Sequence, residues 1–369
     1  MATQEQQKRP WQRNFNETPF IVIWEVTRAC QLHCLHCRAQ AQKMRDPREL
    51  TTKEGMELID DIVSMDRPLL VFTGGDPLER EDLFDFIRYG TESGLAVSIT
   101  PSATPKVTKD AIRRAKEAGL TRWAFSLDGS TAAIHDRFRG TKGSYDLTIQ
   151  SLKILQDLNI PIQLNTTVTR YNLNDLHRIA DIAEQFNTVL WSVFFLVPTG
   201  RARVEDMVTA DEHERVMRWL FEQSHMRSFD VKTTEAPHYR RVVLQHRQTE
   251  TVTDSLSFSQ DRGFHMFDGP LRAAKGVNDG NGFAFVSHQG DIYPSGFLPI
   301  VAGNVRQQKL SDVYRNSPLF KELRDVSLLK GKCGRCEFRS ICGGSRSRAY
   351  ALTGDYLESD PTCVYQPRV

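Results

Sequence analysis

Apolar residues recur along the first two thirds of the chain in two alternating patterns. Short runs rich in β-branched and aromatic residues predict strands, and longer segments with apolar positions three and four residues apart predict helices. The strands are expected at 20–26, 69–73, 95–100, 122–127, 162–168 and 190–196. The helices are expected near 51–65, 81–93, 106–118, 144–158, 173–187 and 209–225. Thr51 and Glu54 have the spacing of a capping box at the start of the first helix.

This alternation of strands and helices indicates an α/β fold in which parallel strands are joined by right-handed crossovers. Six such units are too few for a closed eight-stranded barrel. In parallel barrels the chemistry lies at the carboxyl ends of the strands, so the residues that directly follow each strand are the candidates for a site.

The pattern changes in the last third of the chain. Residues 245–281 form a polar, glycine-bearing stretch, and long segments of this kind are either connectors or functional lids. Residues 283–294 have the signature of a β-hairpin, with a turn at 287–290. A short helix is expected over 310–324.

Composition and charge narrow the class of protein. A chain of 369 residues exceeds a typical single domain, so we expect a large domain with a smaller one appended. The 48 Lys and Arg against 46 Asp and Glu give a net charge of +2, which favours neither nucleic acid nor a membrane surface as a partner. Residues 1–19 lack the apolar core of a signal peptide and no long apolar stretch follows, so we expect a cytoplasmic protein.

Three of the seven cysteines stand close together after the first predicted strand. In a cytoplasmic protein cysteines stay reduced, so the seven cysteines are expected to bind metals or take part in catalysis and not to form disulfides. Cys30, Cys34 and Cys37 have C-x3-C-x2-C spacing. Three thiolates can hold a four-iron cluster and leave its fourth iron open to a ligand. Zinc, which also accepts cysteine and histidine, is the alternative.

Residues 24–37, which contain these cysteines, resemble the cluster loop of the radical S-adenosylmethionine (SAM) superfamily, with His36 as its ring-bearing residue before the third cysteine. The resemblance extends from 19 to 365 and implies a partial (β/α)6 barrel. It further implies a [4Fe-4S] cluster on the three cysteines, with SAM bound at its open iron.

The resemblance also assigns residues at the strand ends to SAM. Glycines let a ligand approach the backbone, and hydroxyl, carboxylate and guanidinium groups suit a ribose and a carboxylate. Of Arg137 and Arg139, Arg137 is favoured. We further expect that Gly75→Val weakens SAM binding while the fold and the iron content survive. The implied SAM-binding residues are Gly74, Gly75, Asp76, Ser126, Asp128, Arg137, Asn165 and Leu196.

The remaining four cysteines, Cys333, Cys336, Cys342 and Cys363, suffice for a second, fully ligated four-iron cluster. A zinc site is again the alternative, because zinc sites also use C-x2-C pairs. Residues 343–356 resemble the SPASM and twitch extensions that carry auxiliary clusters. Relatives with two auxiliary clusters often have another cysteine where this chain has Ser295, and the chain continues with Ser345 and Arg346 after its glycine pair. The inner auxiliary cluster is therefore expected to be absent.

These observations divide the chain into four predicted segments. Residues 1–18 are an amino-terminal extension and 19–235 are the radical SAM partial barrel. Residues 236–281 are a connector or lid, and 282–369 are a small auxiliary-cluster domain of the SPASM or twitch type.

The resemblance implies an enzyme that reductively cleaves SAM to a 5′-deoxyadenosyl radical, which abstracts a substrate hydrogen. A flavodoxin or a ferredoxin-type protein would supply the electron. Residues 24–30 and 333–339 look most like the branch of heme d1 and alternative heme biosynthesis enzymes, which act on tetrapyrrole propionates. Two alternatives stay open: a maturase of a ribosomally made peptide, of the pyrroloquinoline quinone or mycofactocin kind, and a non-catalytic iron–sulfur protein for electron transfer or sensing.

Overall fold

The computed structural model describes residues 14–249 and 276–368, and its framework is one ten-stranded sheet. The strands are β1 Ile21–Glu25, β2 Leu69–Thr73, β3 Val97–Ile99, β4 Arg122–Ser126, β5 Ile162–Val168, β6 Leu190–Phe195, β7 Asp230–Thr234, β8 Phe283–Val286, β9 Asp291–Tyr293 and β10 Gly303–Asn304. The helices are α1 Thr52–Ser64, α2 Leu83–Glu92, α3 Lys109–Glu117, α4 Ala132–Arg139, α5 Ser144–Asp157, α6 Leu176–Gln185, α7 Ala210–Met226, α8 His238–Thr249, α9 Leu310–Asn316, α10 Pro318–Arg324, α11 Gly331–Arg335 and α12 Arg346–Thr353.

The first six strands lie side by side in chain order and all neighbours among them are parallel. This arrangement confirms the predicted partial barrel. β7 continues the sheet beyond β6 in the same direction. At the other edge β8 pairs in parallel with β1, and β9 and β10 follow it as antiparallel strands. The predicted hairpin is therefore part of the barrel sheet.

Several elements differ from the sequence-based expectation. Helix α4 and strand β7 were not predicted, and the polar sequence of β7 is half-buried along its whole length. The helix expected over 310–324 is two helices that meet at Ser317 and Pro318, because proline has no backbone N–H to donate inside a helix. Helix α8 fills the start of the predicted connector or lid over 236–281, and residues 250–275 of that segment lie outside the described residues.

The core between the sheet and its helices is built on large aromatic residues. Trp24 on β1 is fully buried and packs against the rings of Phe72 and Phe86 at 5.7 and 4.9 Å between centroids. A Cβ atom at Gly55 would lie 2.6 Å from the rings of Trp24 and Phe86, so α1 requires glycine at this contact. Thr51 caps α1 through the predicted capping box. In the described part of the chain, no helix is long and apolar enough to cross a bilayer.

Candidate active site and auxiliary cluster site

A cavity of about 210 Å³ opens at the carboxyl ends of the parallel strands. The structure brings together there most of the residues that the sequence assigned to the cluster and to SAM. These are Cys30, Cys34, Cys37, Gly74, Gly75, Ser126, Asn165 and Leu196. Asp76, Asp128 and Arg137 do not line the cavity.

The three cysteines of the loop after β1 have surroundings that suit a cluster. The backbone N–H groups of Leu32 and Ala41 donate to the sulfurs of Cys30 and Cys37 at 3.3 and 3.4 Å. Burial raises the pKa of the Cys30 thiol to about 11 and also raises that of Cys34. Donors aimed at buried sulfurs stabilise thiolates only when a positive partner offsets the cost of burial, and iron is such a partner. The donor set therefore fits an iron–sulfur cluster.

The glycines after β2 are required by their close packing against the cluster loop. A Cβ atom at Gly75 would lie 2.4 Å from the carbonyl oxygen of Ala29, and one at Gly74 would lie 2.5 Å from that of Thr27. The backbone N–H of Gly75 donates to Thr27, which binds the two loops together. A side chain at Gly75 would displace the cluster loop itself. This geometry argues against the expectation that Gly75→Val spares the iron content.

The two predicted carboxylates, those of Asp76 and Asp128, accept hydrogen bonds from segments next to the cavity. Asp76 is fully buried, caps the turn after β2 by accepting from the Leu78 N–H at 3.1 Å, and accepts from the Thr104 hydroxyl at 3.0 Å. Burial raises the pKa of Asp76 to about 7. Asp128 is also fully buried and accepts from the Thr167 N–H at 2.7 Å. Both side chains therefore position loops of the site.

Of the two arginines in the predicted motif, Arg139 lines the cavity and Arg137 does not. Arg139 lines the cavity, forms an ion pair with Asp128 at 2.6 Å and donates to the Cys34 sulfur at 3.6 Å. Arg137 lies on the exposed side of α4, 5.4 Å from the ring centroid of Tyr171. The two arginines are neighbours in a motif, and helix α4 turns them to different faces. Arg139 is therefore the arginine of this motif that is placed to contact a ligand in the cavity.

We expect Arg139→Lys to raise the Kd for SAM by about 10- to 150-fold, because a hydrogen bond to a charged group contributes ~1.5–3 kcal/mol. Lysine keeps the charge beside Asp128 but loses the fork that binds a carboxylate. Arg137→Lys is the matched control and should leave the Kd unchanged. Isothermal titration of anaerobically reconstituted protein measures both values. Equal effects of the two substitutions would remove Arg139 from the site.

Sequence reasoning missed other polar residues around the cluster loop. Arg201 donates from Nε to the carbonyl of Cys34 at 2.9 Å, and its Nη2 atom is buried without a hydrogen-bond partner. The Ser102 hydroxyl lies 3.4 Å from the Cys30 sulfur. The ring of His36 stacks on Phe138 at 4.1 Å, and burial lowers the pKa of His36, so its ring is neutral. Ser102 could have been found from its place just after a predicted strand, whereas Arg201 has no local signal.

The four carboxyl-terminal cysteines line a second, smaller cavity beside α8, together with His238 and Arg241. Burial raises the pKa of Cys342 to about 12 and that of Cys363 to about 11. The N–H of Gly344 donates to the Cys342 sulfur at 3.4 Å, and Arg346 donates to the Cys333 sulfur at 3.7 Å. These surroundings resemble those of the first cysteine trio and fit a second cluster.

The two serines that stand where some relatives have cysteines converge on one carboxylate. The hydroxyls of Ser295 and Ser345 donate to the two oxygens of Glu235, which follows β7. Arg348 donates to the backbone carbonyl of Glu235. Burial raises the pKa of Glu235 to about 8. A hydrogen-bonded carboxyl group thus joins these two serine positions.

Two family models match the chain. Residues 24–183 match the radical SAM superfamily, and residues 278–337 match SPASM, the iron–sulfur cluster-binding domain. The second match contains Cys333 and Cys336 and favours a cluster over zinc at the terminal site.

Similar proteins cover almost the whole chain. The AdoMet-dependent heme synthase of Methanosarcina barkeri is 39% identical over 95% of this chain and 97% of its own. The mycofactocin maturase MftC of Mycobacterium tuberculosis is 28% identical over 94% of this chain and 83% of its own.

A solved structure, that of SuiB from Streptococcus suis, has the same fold. It matches with a TM-score of 0.72 at 16% identity, over 95% of this chain and 78% of the other. Together with the family models and the heme synthase similarity, the cysteine trio at the mouth of a partial barrel identifies an enzyme. The chain belongs to the radical SAM superfamily and carries a SPASM iron–sulfur domain.

Proposed function

We propose that this enzyme converts propionate side chains of an iron tetrapyrrole into the vinyl groups of heme. The observation that carries this proposal is the 39% identity to an AdoMet-dependent heme synthase across nearly all of both chains. The similarity to a peptide maturase is weaker, at 28%.

The chemistry of heme identifies the substrate class. Heme carries two vinyl groups at positions where iron coproporphyrin III carries propionates. Conversion of one propionate to a vinyl group removes a hydrogen atom from the carbon next to the ring, releases the carboxyl group as CO2 and passes one electron to an acceptor. When bound, SAM and the cluster supply the 5′-deoxyadenosyl radical that takes the hydrogen atom.

The residues of the cavity would position these groups. Cys30, Cys34 and Cys37 would hold the cluster, and the Arg139 guanidinium would receive the SAM carboxylate while Asp128 fixes its fork. Ser126 ends β4, Asn165 lies in the middle of β5 and Leu196 directly follows β6. All three line the cavity and would contact the nucleoside. Apolar walls would confine the radical beside the substrate side chain. Phe194, Phe195, Val197 and Phe297 form these walls.

We also propose that two segments of the chain have the separate functions that the sequence suggests. Residues 19–235 would carry the SAM chemistry and 282–369 would carry the auxiliary cluster. A flavodoxin or a ferredoxin-type protein would deliver electrons.

Anaerobic incubation of the reconstituted enzyme with SAM, dithionite and iron coproporphyrin III tests the proposal. We expect heme, with one CO2 and one 5′-deoxyadenosine for each vinyl group formed. Chromatography with mass detection measures all three products. Formation of 5′-deoxyadenosine without heme, together with modification of a candidate precursor peptide, would show a maturase. The complete absence of 5′-deoxyadenosine would point to a non-catalytic iron–sulfur protein.

A further inference from the structure

A tetrapyrrole needs a place for its charged side chains and another for its flat ring, and the mouth of the barrel offers both. We propose that Arg38 binds a propionate carboxylate inside the cavity and that Phe297 places the macrocycle in the groove outside it. This inference rests on the proposed function, since it names where that substrate binds.

The Arg38 side chain is fixed by its neighbours and still has hydrogen-bond donors that no group in the described part of the chain uses. Its Nη2 atom donates to Glu25 at 2.8 Å, its Nη1 atom donates to the carbonyl of Gly296 at 3.3 Å, and its guanidinium lies 4.6 Å from the ring centroid of Phe285. A guanidinium has five N–H donors, so N–H groups remain for a ligand. The side chain is 19% exposed and lines the cavity. Arg38 is therefore a fixed cation that faces the site.

Glu25 explains why this arginine is fixed. Its carboxylate is fully buried, 2.8 Å from Arg38, 3.1 Å from Arg28 and 3.2 Å from His288. Burial by itself would raise the pKa of Glu25, but Arg38, His288 and Arg28 lower it to about 2. The ion pair with this buried carboxylate thus fixes the Arg38 guanidinium at the cavity.

Of the two arginines that line the cavity, Arg38 is the one that we assign to the substrate. Among the described residues that line the cavity, Arg38 and Arg139 are the arginines, and neither lysine nor a carboxylate is present. Arg139 is held by Asp128 and Cys34, next to the position of SAM. Arg38 is held instead by the carbonyl of Gly296, the residue before Phe297. The cavity therefore has one arginine beside the cluster and SAM, and one beside its outer wall.

Phe297 belongs to two cavities. It lines the inner one with Phe194, whose ring centroid is 6.3 Å away, and it lines an open groove on the other side. The groove, of about 390 Å³, lies between the loop after β6, the hairpin and α12. Its lining includes two prolines, two aromatic residues and a leucine. It consists of Pro198, Thr199, Phe297, Pro299, Tyr350, Ala351, Leu352 and Gly354.

Size decides how a tetrapyrrole can use these two spaces. Enclosed sites for drug-sized ligands occupy about 300–1,000 Å³, and the inner cavity of about 210 Å³ also has to receive SAM. The macrocycle therefore stays outside, while one edge with its propionate enters. Prolines and aromatic rings suit the apolar faces of a macrocycle, and aromatic side chains stack on such rings. Because Phe297 lines both spaces, a propionate on the edge of a macrocycle in the groove would enter the cavity that Arg38 lines.

The experiment measures binding of coproporphyrin III, by its fluorescence anisotropy, to reconstituted enzyme with SAM present and no reductant. We expect Arg38→Gln and Phe297→Ala each to raise the Kd by about 10-fold, the loss of one charge-assisted hydrogen bond or one aromatic contact. Arg28→Gln is the control for Arg38→Gln. Arg28 is the other arginine that forms an ion pair with Glu25, but Arg28 does not line the cavity. Phe84→Ala is the control for Phe297, since Phe84 is half-buried beneath Arg114 on α3. Both controls should bind like the parent.

The outcomes separate this inference from the proposed function. If the parent does not bind coproporphyrin III, the proposed function is wrong. If the parent binds and Phe297→Ala or Arg38→Gln binds equally well, the function stands and the assigned site is overturned. Equal weakening by Arg28→Gln and Arg38→Gln would also overturn it, because Arg38 would then act only through Glu25. If the Arg38→Gln variant loses iron, Arg38→Lys is tested in its place. A Kd for coproporphyrin III equal to that of the parent would then overturn the proposed contact between Arg38 and the propionate, because lysine lacks the guanidinium fork.

Discussion

Simultaneous replacement of Cys30, Cys34 and Cys37 by alanine should abolish 5′-deoxyadenosine formation and remove about four of about eight irons per chain, since each cluster holds four. The three sulfurs line the cavity at the strand ends, whereas the other four cysteines line a separate cavity beside α8. The terminal cluster should therefore persist. Anaerobic iron and sulfide analysis, the absorbance near 400 nm (roughly the range for such clusters) and product analysis measure the three effects.

A matched variant removes the other cluster. Replacement of Cys333, Cys336 and Cys342 by alanine should also remove about four irons but leave SAM bound, because no residue of that site lines the SAM cavity in the described part of the chain. Production of 5′-deoxyadenosine by the first triple variant would refute the radical mechanism. One equivalent of zinc in the parent, with about four irons, would show that the terminal site binds zinc.

Gly75→Ala should cost the enzyme its SAM-binding cluster, although the substitution adds only a methyl group and changes no cysteine. That methyl would lie 2.4 Å from the carbonyl oxygen of Ala29 and 2.5 Å from that of Arg28, both in the backbone that leads into Cys30. Overpacking of this kind costs ~1–3 kcal/mol and is relieved by movement of the loop. We expect the purified variant to hold about four irons instead of about eight.

Gly90→Ala on α2 is the control for this substitution. Its added Cβ would meet only side chains, with Val97 nearest at 3.1 Å, and α2 lies outside the cavity. The iron content should equal that of the parent, as measured by the same analysis. If Gly75→Ala keeps its iron and only weakens SAM binding, the ligand-contact interpretation of this glycine is correct and the loop interpretation is wrong.

The six barrel strands were predictable because each forms its own unit with the helix that follows. Strands such as Leu69–Thr73 are apolar, and the buried helix positions that pack on them recur locally. β7 could not be found in this way, since Asp230–Thr234 is polar and half-buried. The pairing of β8 with β1 is a contact between distant segments, which no local pattern specifies.

The residues of the site could be predicted where their spacing in the sequence identifies them. They could not be predicted where the direction of a side chain decides whether it reaches the cavity. The cysteine trio and the residues at the strand ends meet in one cavity, as their positions after parallel strands require. Arg137 and Arg139 are two residues apart on α4, so they face different directions, and the sequence does not say which faces inward. Arg38 directly follows Cys37, but its importance depends on Glu25, thirteen residues earlier, becoming buried beside it.

The pairing of β1 with β8 also shapes how the chain is made. Ile21 pairs with Phe283, which the ribosome adds 262 residues later. At about 5–20 residues per second, one edge of β1 waits roughly 10 to 50 s for its partner. An unpaired apolar strand edge is a template for association with other chains. During synthesis this nascent edge is therefore an aggregation risk, which ends only when the hairpin of the iron–sulfur domain reaches it.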